Sequence, residues 1–63
     1  MQNRIEEFLA QQGLTQRELA KRVGISEPEL SKIVNNKKPG LWLETAKRIA
    51  KALGKKVDDV WPD

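Results

Sequence analysis

Apolar residues recur every three or four positions along this 63-residue chain, and polar residues fill the gaps. That spacing is the period of helices that bury one face. Ile5, Phe8 and Leu9 share a face of a first helix over about 3–12, which Gly13 stops. Leu19, Ala20 and Val23 do the same for a second helix over about 16–23, stopped by Gly24. Leu30, Ile33 and Val34 mark a third helix over about 27–35, which Asn36 can end in a left-handed conformation. Leu43, Ala46, Ile49, Ala50 and Leu53 follow helical spacing over about 42–53, with Gly54 as the stop. Val57, Val60 and Trp61 give a short last helix over about 57–61. No run alternates apolar and polar residues as a half-buried strand would. The pattern predicts one all-α domain of five helices over residues 1–63, with no linker, repeat or low-complexity stretch.

Between Gly13 and Asn36 the same helix-start signal is written twice, eleven residues apart. Thr15 is followed three residues later by Glu18, and Ser26 three residues later by Glu29. Each pair fits a capping box, in which the hydroxyl takes a free backbone N–H and the Glu reaches back to the cap. Leu14 with Leu19, and Ile25 with Leu30, sit where hydrophobic staples fix the angle of entry. Two short helices joined by a tight turn containing Gly24 form a helix-turn-helix, whose second helix can enter a DNA groove.

Composition narrows the chemistry. The chain has no Cys and no His. Disulfides, thiol nucleophiles, structural zinc and imidazole bases are therefore absent, and no metal or cofactor is expected. A domain this small buries only about 60% of its unfolded surface, which leaves little room for an enclosed small-molecule site. An enzyme reading finds no support. No apolar run approaches the ~20 residues of a membrane span, and the start MQNRIEEF lacks a secretion signal. The expected setting is cytoplasmic. Net charge is +3. It is unevenly spread: +2 over 15–24 (Arg17, Lys21 and Arg22 against Glu18), −1 over 25–36, then Lys37 and Lys38. The positive blocks flank the third helix, where phosphates would lie if that helix occupied a groove. Lys47, Lys51 and Lys55 read as solvated helix faces.

On a wheel of ~100° per residue, Pro28, Lys32 and Asn35 lie opposite the buried face of the third helix, with Ser31 and Glu29 beside them. Ser26 and Glu27 project past its start. Lys32 can donate to guanine, a Glu can accept from cytosine, and Asn35 can offer its amide to adenine. Glu27 and Glu29 also suit the helix dipole, worth ~0.3–1 kcal/mol each, and Glu29 closes the capping box, so both readings stay open for each. Pro28 suits a first turn, where no N–H is needed, or a thymine methyl. Gln16, with Arg17 beside it, opens the second helix, where side chain and amides can bind a phosphate. Asn36, Lys37 and Lys38 follow the third helix and can grip the same phosphate strand. Trp42 stands at a helix start, where a capping residue is expected; it either folds onto the core or stays exposed to DNA or a partner. Trp61 either covers the open end of the core or, with Val57 and Val60, forms a homodimer seam.

The motifs GLTQRELAKRVGIS, SEPELSKIVNNK, LETAKRIAKALG and VDDVW, in that order, span nearly the whole chain. Together they resemble the lambda-repressor-like, Cro/C1-type helix-turn-helix domains. The resemblance implies a compact five-helix bundle that binds double-stranded DNA as a transcriptional repressor or regulator in a bacterial or phage-type cell, at the nucleoid. It implies that Gln16 clamps phosphate, that Ser26, Glu27, Pro28 and Lys32 face bases or backbone, and that Asn36 and Lys37 bind backbone. The chain departs from the family pattern at Asn36, where Gly is usual, and at Glu27 and Pro28, where Gln, Arg, Ser or Thr are common; the operator sequence is not implied. Two other readings keep the same fold. One is a protein-interaction module, such as an antitoxin or anti-repressor. The other is an engineered DNA binder.

Overall fold

The two capping signals are where the chain commits to its geometry. Thr15 Oγ1 accepts the Glu18 N–H at 3.1 Å, and the Glu18 carboxylate accepts the Thr15 N–H at 3.0 Å. Both halves of the first box are therefore made. The second is made only in its hydroxyl half, where Ser26 Oγ accepts the Glu29 N–H at 3.2 Å, so Glu29 does not close the box that the sequence predicts. The computed structural model describes residues 3–35 and 43–62. Among them are five helices: α1 (Ile5–Gln12), α2 (Gln16–Val23), α3 (Glu27–Val34), α4 (Leu43–Ala52) and α5 (Val57–Val60). Described residues form no strand. Asn36, Lys37, Lys38 and Trp42, named above as candidate contacts or as an oddity, lie outside the described residues.

Between α2 and α3 the chain must reverse within three residues. Gly24 makes this possible at φ +86°, in the left-handed region that costs other residues about 1–2 kcal/mol. Its N–H, and that of Ile25, both donate to Ala20 O at the end of α2, at 2.8 and 3.1 Å. These bonds close the last turn of α2 and aim the chain into Ser26. Leu14 and Ile25 are half-buried against the core, as the staples require.

α2 is the hub, packed on both α3 and α4, and α5 packs on α4. The core is one apolar cluster drawn from all five helices, with Ile5, Leu19, Leu30, Ile49 and Val60 fully enclosed. α1 is tied across the bundle by polar bonds. The Arg4 N–H donates to Val60 O at 2.8 Å. The Gln12 amide donates to Leu53 O at 2.7 Å, beyond the end of α4. Phe8 is buried between cations: the Arg4 guanidinium lies 4.7 Å and the Lys55 ammonium 4.9 Å from its ring centre. Such contacts are worth about 0.5–1 kcal/mol near a surface.

Two sequence expectations are corrected by this packing. Helical spacing places Leu43 in the apolar row of α4, yet it is 64% exposed. It opens the helix at the edge of that row. The homodimer seam of Val57, Val60 and Trp61 also fails. Val60 and Trp61 are buried inside the protomer at 0% and 7% exposure, and Val57 packs half-buried against the same cluster. Their apolar area is already used, so Trp61 covers the core.

Thr15→Ala removes the hydroxyl of the complete box. It should cost about 1 kcal/mol of stability. In a domain of this size that corresponds to a melting point lower by roughly 4–8 °C. Thermal unfolding followed by circular dichroism measures it; an unchanged melting point would contradict the cap's energetic role.

Candidate nucleic-acid interface

α3 is eight residues long, and an α-helix with its side chains is about 10–12 Å across, which the ~12 Å width of the major groove admits. Its inner face is Leu30, Ile33 and Val34, all buried. Its outer face is Pro28, Lys32 and Asn35, all exposed, with Glu29 and Ser31 half-buried at the flanks. The wheel drawn from sequence and the observed burial coincide residue by residue. Ser26 and Glu27 are exposed at the leading end. α2 opens with Gln16, half-buried, and Arg17, exposed. The described candidates therefore fall on α3 and on the leading end of α2.

Side-chain geometry refines what each candidate can offer. Ser26 Oγ spends a lone pair on the Glu29 N–H, and its hydroxyl proton remains a donor. Asn35 is turned onto its own helix. Its amide nitrogen donates to Ser31 O at 2.9 Å and lies 3.3 Å from Ser31 Oγ. An adenine contact uses both the amide oxygen and the amide nitrogen. In this rotamer Asn35 presents only the oxygen outward, and Ser31 Oγ is drawn into the same local bond. Lys32 is the one cation on the outer face of α3. Glu27 and Glu29 sit in the first turn, where the helix dipole favours them.

Sequence reasoning did not identify the side chains that tie together elements far apart in the chain. Asn3 bonds to the Val34 carbonyl of α3 thirty-one residues away, and Gln12 of α1 bonds forty-one residues away to Leu53. An Asn just before an apolar run is a cap signal, and Asn3 Oδ1 does accept the Ile5 N–H at 3.1 Å. Asn3 stands one residue before the N-cap of α1, which is Arg4. Its second use, toward α3, leaves no local trace.

The electrostatics of the frame are set by local pairs. The Glu18 carboxyl is held below the ordinary glutamate range, chiefly by the Thr15 N–H and then by its hydroxyl. The Glu7 carboxyl is also lowered, chiefly by Arg4, which meets it with two bonds of 2.7 and 3.0 Å. Both groups are lowered in the folded state, so their stabilisation is complete above the unfolded value of about 4.3. It is lost as pH falls through the lower folded values. The melting point should hold steady down to about pH 5 and then fall with acidification. Glu18→Gln should make that fall shallower; an identical acid limb in parent and variant would contradict the assignment.

Comparison with known proteins agrees with this geometry. One solved structure, described as the SinR protein/SinI protein complex, superimposes with a TM-score of 0.85 at 22% identity. The match covers 95% of this chain and 58% of that one, so this chain spans less than two thirds of the other's length. At that identity the likeness is one of fold. Among curated proteins none matches the sequence. The helix-turn-helix family pattern matches residues 5–60, from the first residue of α1 to the last of α5. The chain belongs to the helix-turn-helix family.

Proposed function

We propose that this domain binds double-stranded DNA in a sequence-dependent way and regulates transcription by occupancy, most simply as a repressor. α3 lies in the major groove. Gln16 and Arg17 meet the phosphates on one side, and Asn36, Lys37 and Lys38 meet them on the other. Ser26, Glu27, Pro28 and Lys32 lie against bases or the adjoining backbone, while Glu29 and Ser31 line the edges. The mechanism involves no bond-making chemistry. The observation that carries this reading is the two-sidedness of α3: three enclosed aliphatic side chains face the hub helix, and an exposed polar face carries Lys32. Such a helix is held rigidly while its outer face stays open. Among the described residues no helix is long and apolar enough to cross a membrane, and DNA binding would place the domain at the nucleoid of a bacterial or phage-type cell.

Binding-site selection on randomised duplex DNA, followed by anisotropy titration at several salt concentrations, tests the proposal. Each phosphate contact steepens the plot of log affinity against log salt by about −0.9. A steep slope together with a selected consensus is the expected result. Affinity that ignores salt, or a selection that yields no consensus, would overturn sequence-dependent binding. One observation favours a second reading as a protein-interaction module of the antitoxin or anti-repressor kind. The solved structure that shares this fold is described as a complex with a second protein, SinI.

A further inference from the structure

α3 is too short to stand alone, since isolated helices below ~12–15 residues are marginal in water. Its pose is therefore imposed by its two ends and its buried face. The leading end is fixed locally, by Ser26 and the turn at Gly24. The trailing end is fixed from elsewhere. Asn3 Nδ2 donates to Val34 O at 3.0 Å and lies 3.3 Å from Ile33 O. These are carbonyls that the end of a helix leaves without intrahelical partners. The other atom of the same amide, Oδ1, accepts the Ile5 N–H at 3.1 Å at the start of α1. One half-buried side chain thus accepts from the first N–H of one helix and donates to the last carbonyls of another.

We infer that Asn3 is a positioning residue for base recognition: it sets where the trailing half of α3, and with it Lys32, lies against DNA. The inference rests on the proposed DNA-binding function and deepens it. Lys32 immediately precedes the two clasped carbonyls, and Asn35 immediately follows them. With the clasp gone, the leading end of α3 keeps its own cap while the trailing end loses its tie to α1. Phosphate contacts tolerate such a tilt, because they are dominated by charge. A base contact does not, because it depends on the direction of the hydrogen bond.

Asn3→Asp separates the two roles. It keeps the acceptor for Ile5 N–H and adds a charge that suits a helix start. It deletes the donor and turns a carboxylate oxygen toward two carbonyl oxygens. Asn3→Ser is its neutral counterpart: its hydroxyl can still accept from the Ile5 N–H but is too short to reach α3. In both variants the carbonyl carbon shifts of Ile33 and Val34 should move, while those of Ser26 and Glu27 stay put. Discrimination between the selected duplex and a scrambled one should fall roughly tenfold, within the range of one base contact. Salt slopes should stay as in the parent. Unmoved carbonyl shifts would overturn the clasp itself. Moved shifts with undiminished discrimination would overturn its role in recognition. A parent that binds no duplex would overturn the DNA-binding reading, and this inference with it, whatever the shifts do.

Discussion

Leu30→Ala should strip this domain of a large part of its stability. Leu30 is fully enclosed, on the face of α3 that packs against α2. Deleting its isobutyl end removes apolar contact and leaves a cavity, at a combined cost of about 2–5 kcal/mol. A chain of this length has a total stability of only about 3–9 kcal/mol. The loss therefore consumes a large part of the margin, and the hub contact between the two helices of the motif is the one broken. Urea unfolding followed by the helical circular dichroism signal measures it. Leu43→Ala is the matched control: the same chemical change at a position that is 64% exposed, where surface substitutions stay within about 0.5 kcal/mol. A cost below about 1 kcal/mol at Leu30, or equal costs at both leucines, would contradict the packing described.

The contrast between these leucines shows where sequence reading succeeds. α2 runs from Gln16 to Val23, as its pattern predicts, because both of its ends are written locally. Thr15 and Glu18 close on each other within one turn, and Gly24 takes a backbone angle that other residues avoid. The outer face of α3 is legible for a similar reason: burial on an eight-residue helix follows from its period. Leu43 and Trp61 fail this test in opposite directions. Periodicity assigns a residue to the apolar stripe of its own helix, but it does not say how far the neighbouring helix extends. Leu43 begins before that cover does, and Trp61, open to two readings, is taken up by the core. Asn35 and Asn3 show a further limit. An amide presents a donor on one side and an acceptor on the other, and which partners they find depends on rotamers and on contacts thirty-one residues away. The exposed face of α3 is therefore readable from sequence, whereas the direction of the amides is not.

Lys32→Ala should cost about 1–3 kcal/mol of binding to the selected duplex and relax preference at one base pair. Lys32 stands at the centre of the exposed face of α3, one turn beyond Pro28 and one short of Asn35. Asn35 is folded onto Ser31 and offers only an oxygen. The acids of the first turn, Glu27 and Glu29, add repulsion from phosphate. Among the described residues on this face, Lys32 alone combines positive charge with donors free to track a guanine edge. Its loss should show as selectivity. A lysine on phosphate would lower affinity for every duplex alike and reduce the salt slope by about one. A lysine on a base lowers affinity for the selected duplex and leaves scrambled DNA much less affected. Glu27→Gln supplies the opposite sign. Removing its charge should tighten binding to all duplexes, and if Glu27 also accepts from a cytosine, preference at one further pair should weaken. Preference profiles at every operator position, for the parent and both variants at one salt concentration, resolve these outcomes. A Lys32→Ala profile that superimposes on the parent, with affinity lowered uniformly, would move Lys32 from the bases to the backbone and leave α3 without a charged donor to bases among the described residues.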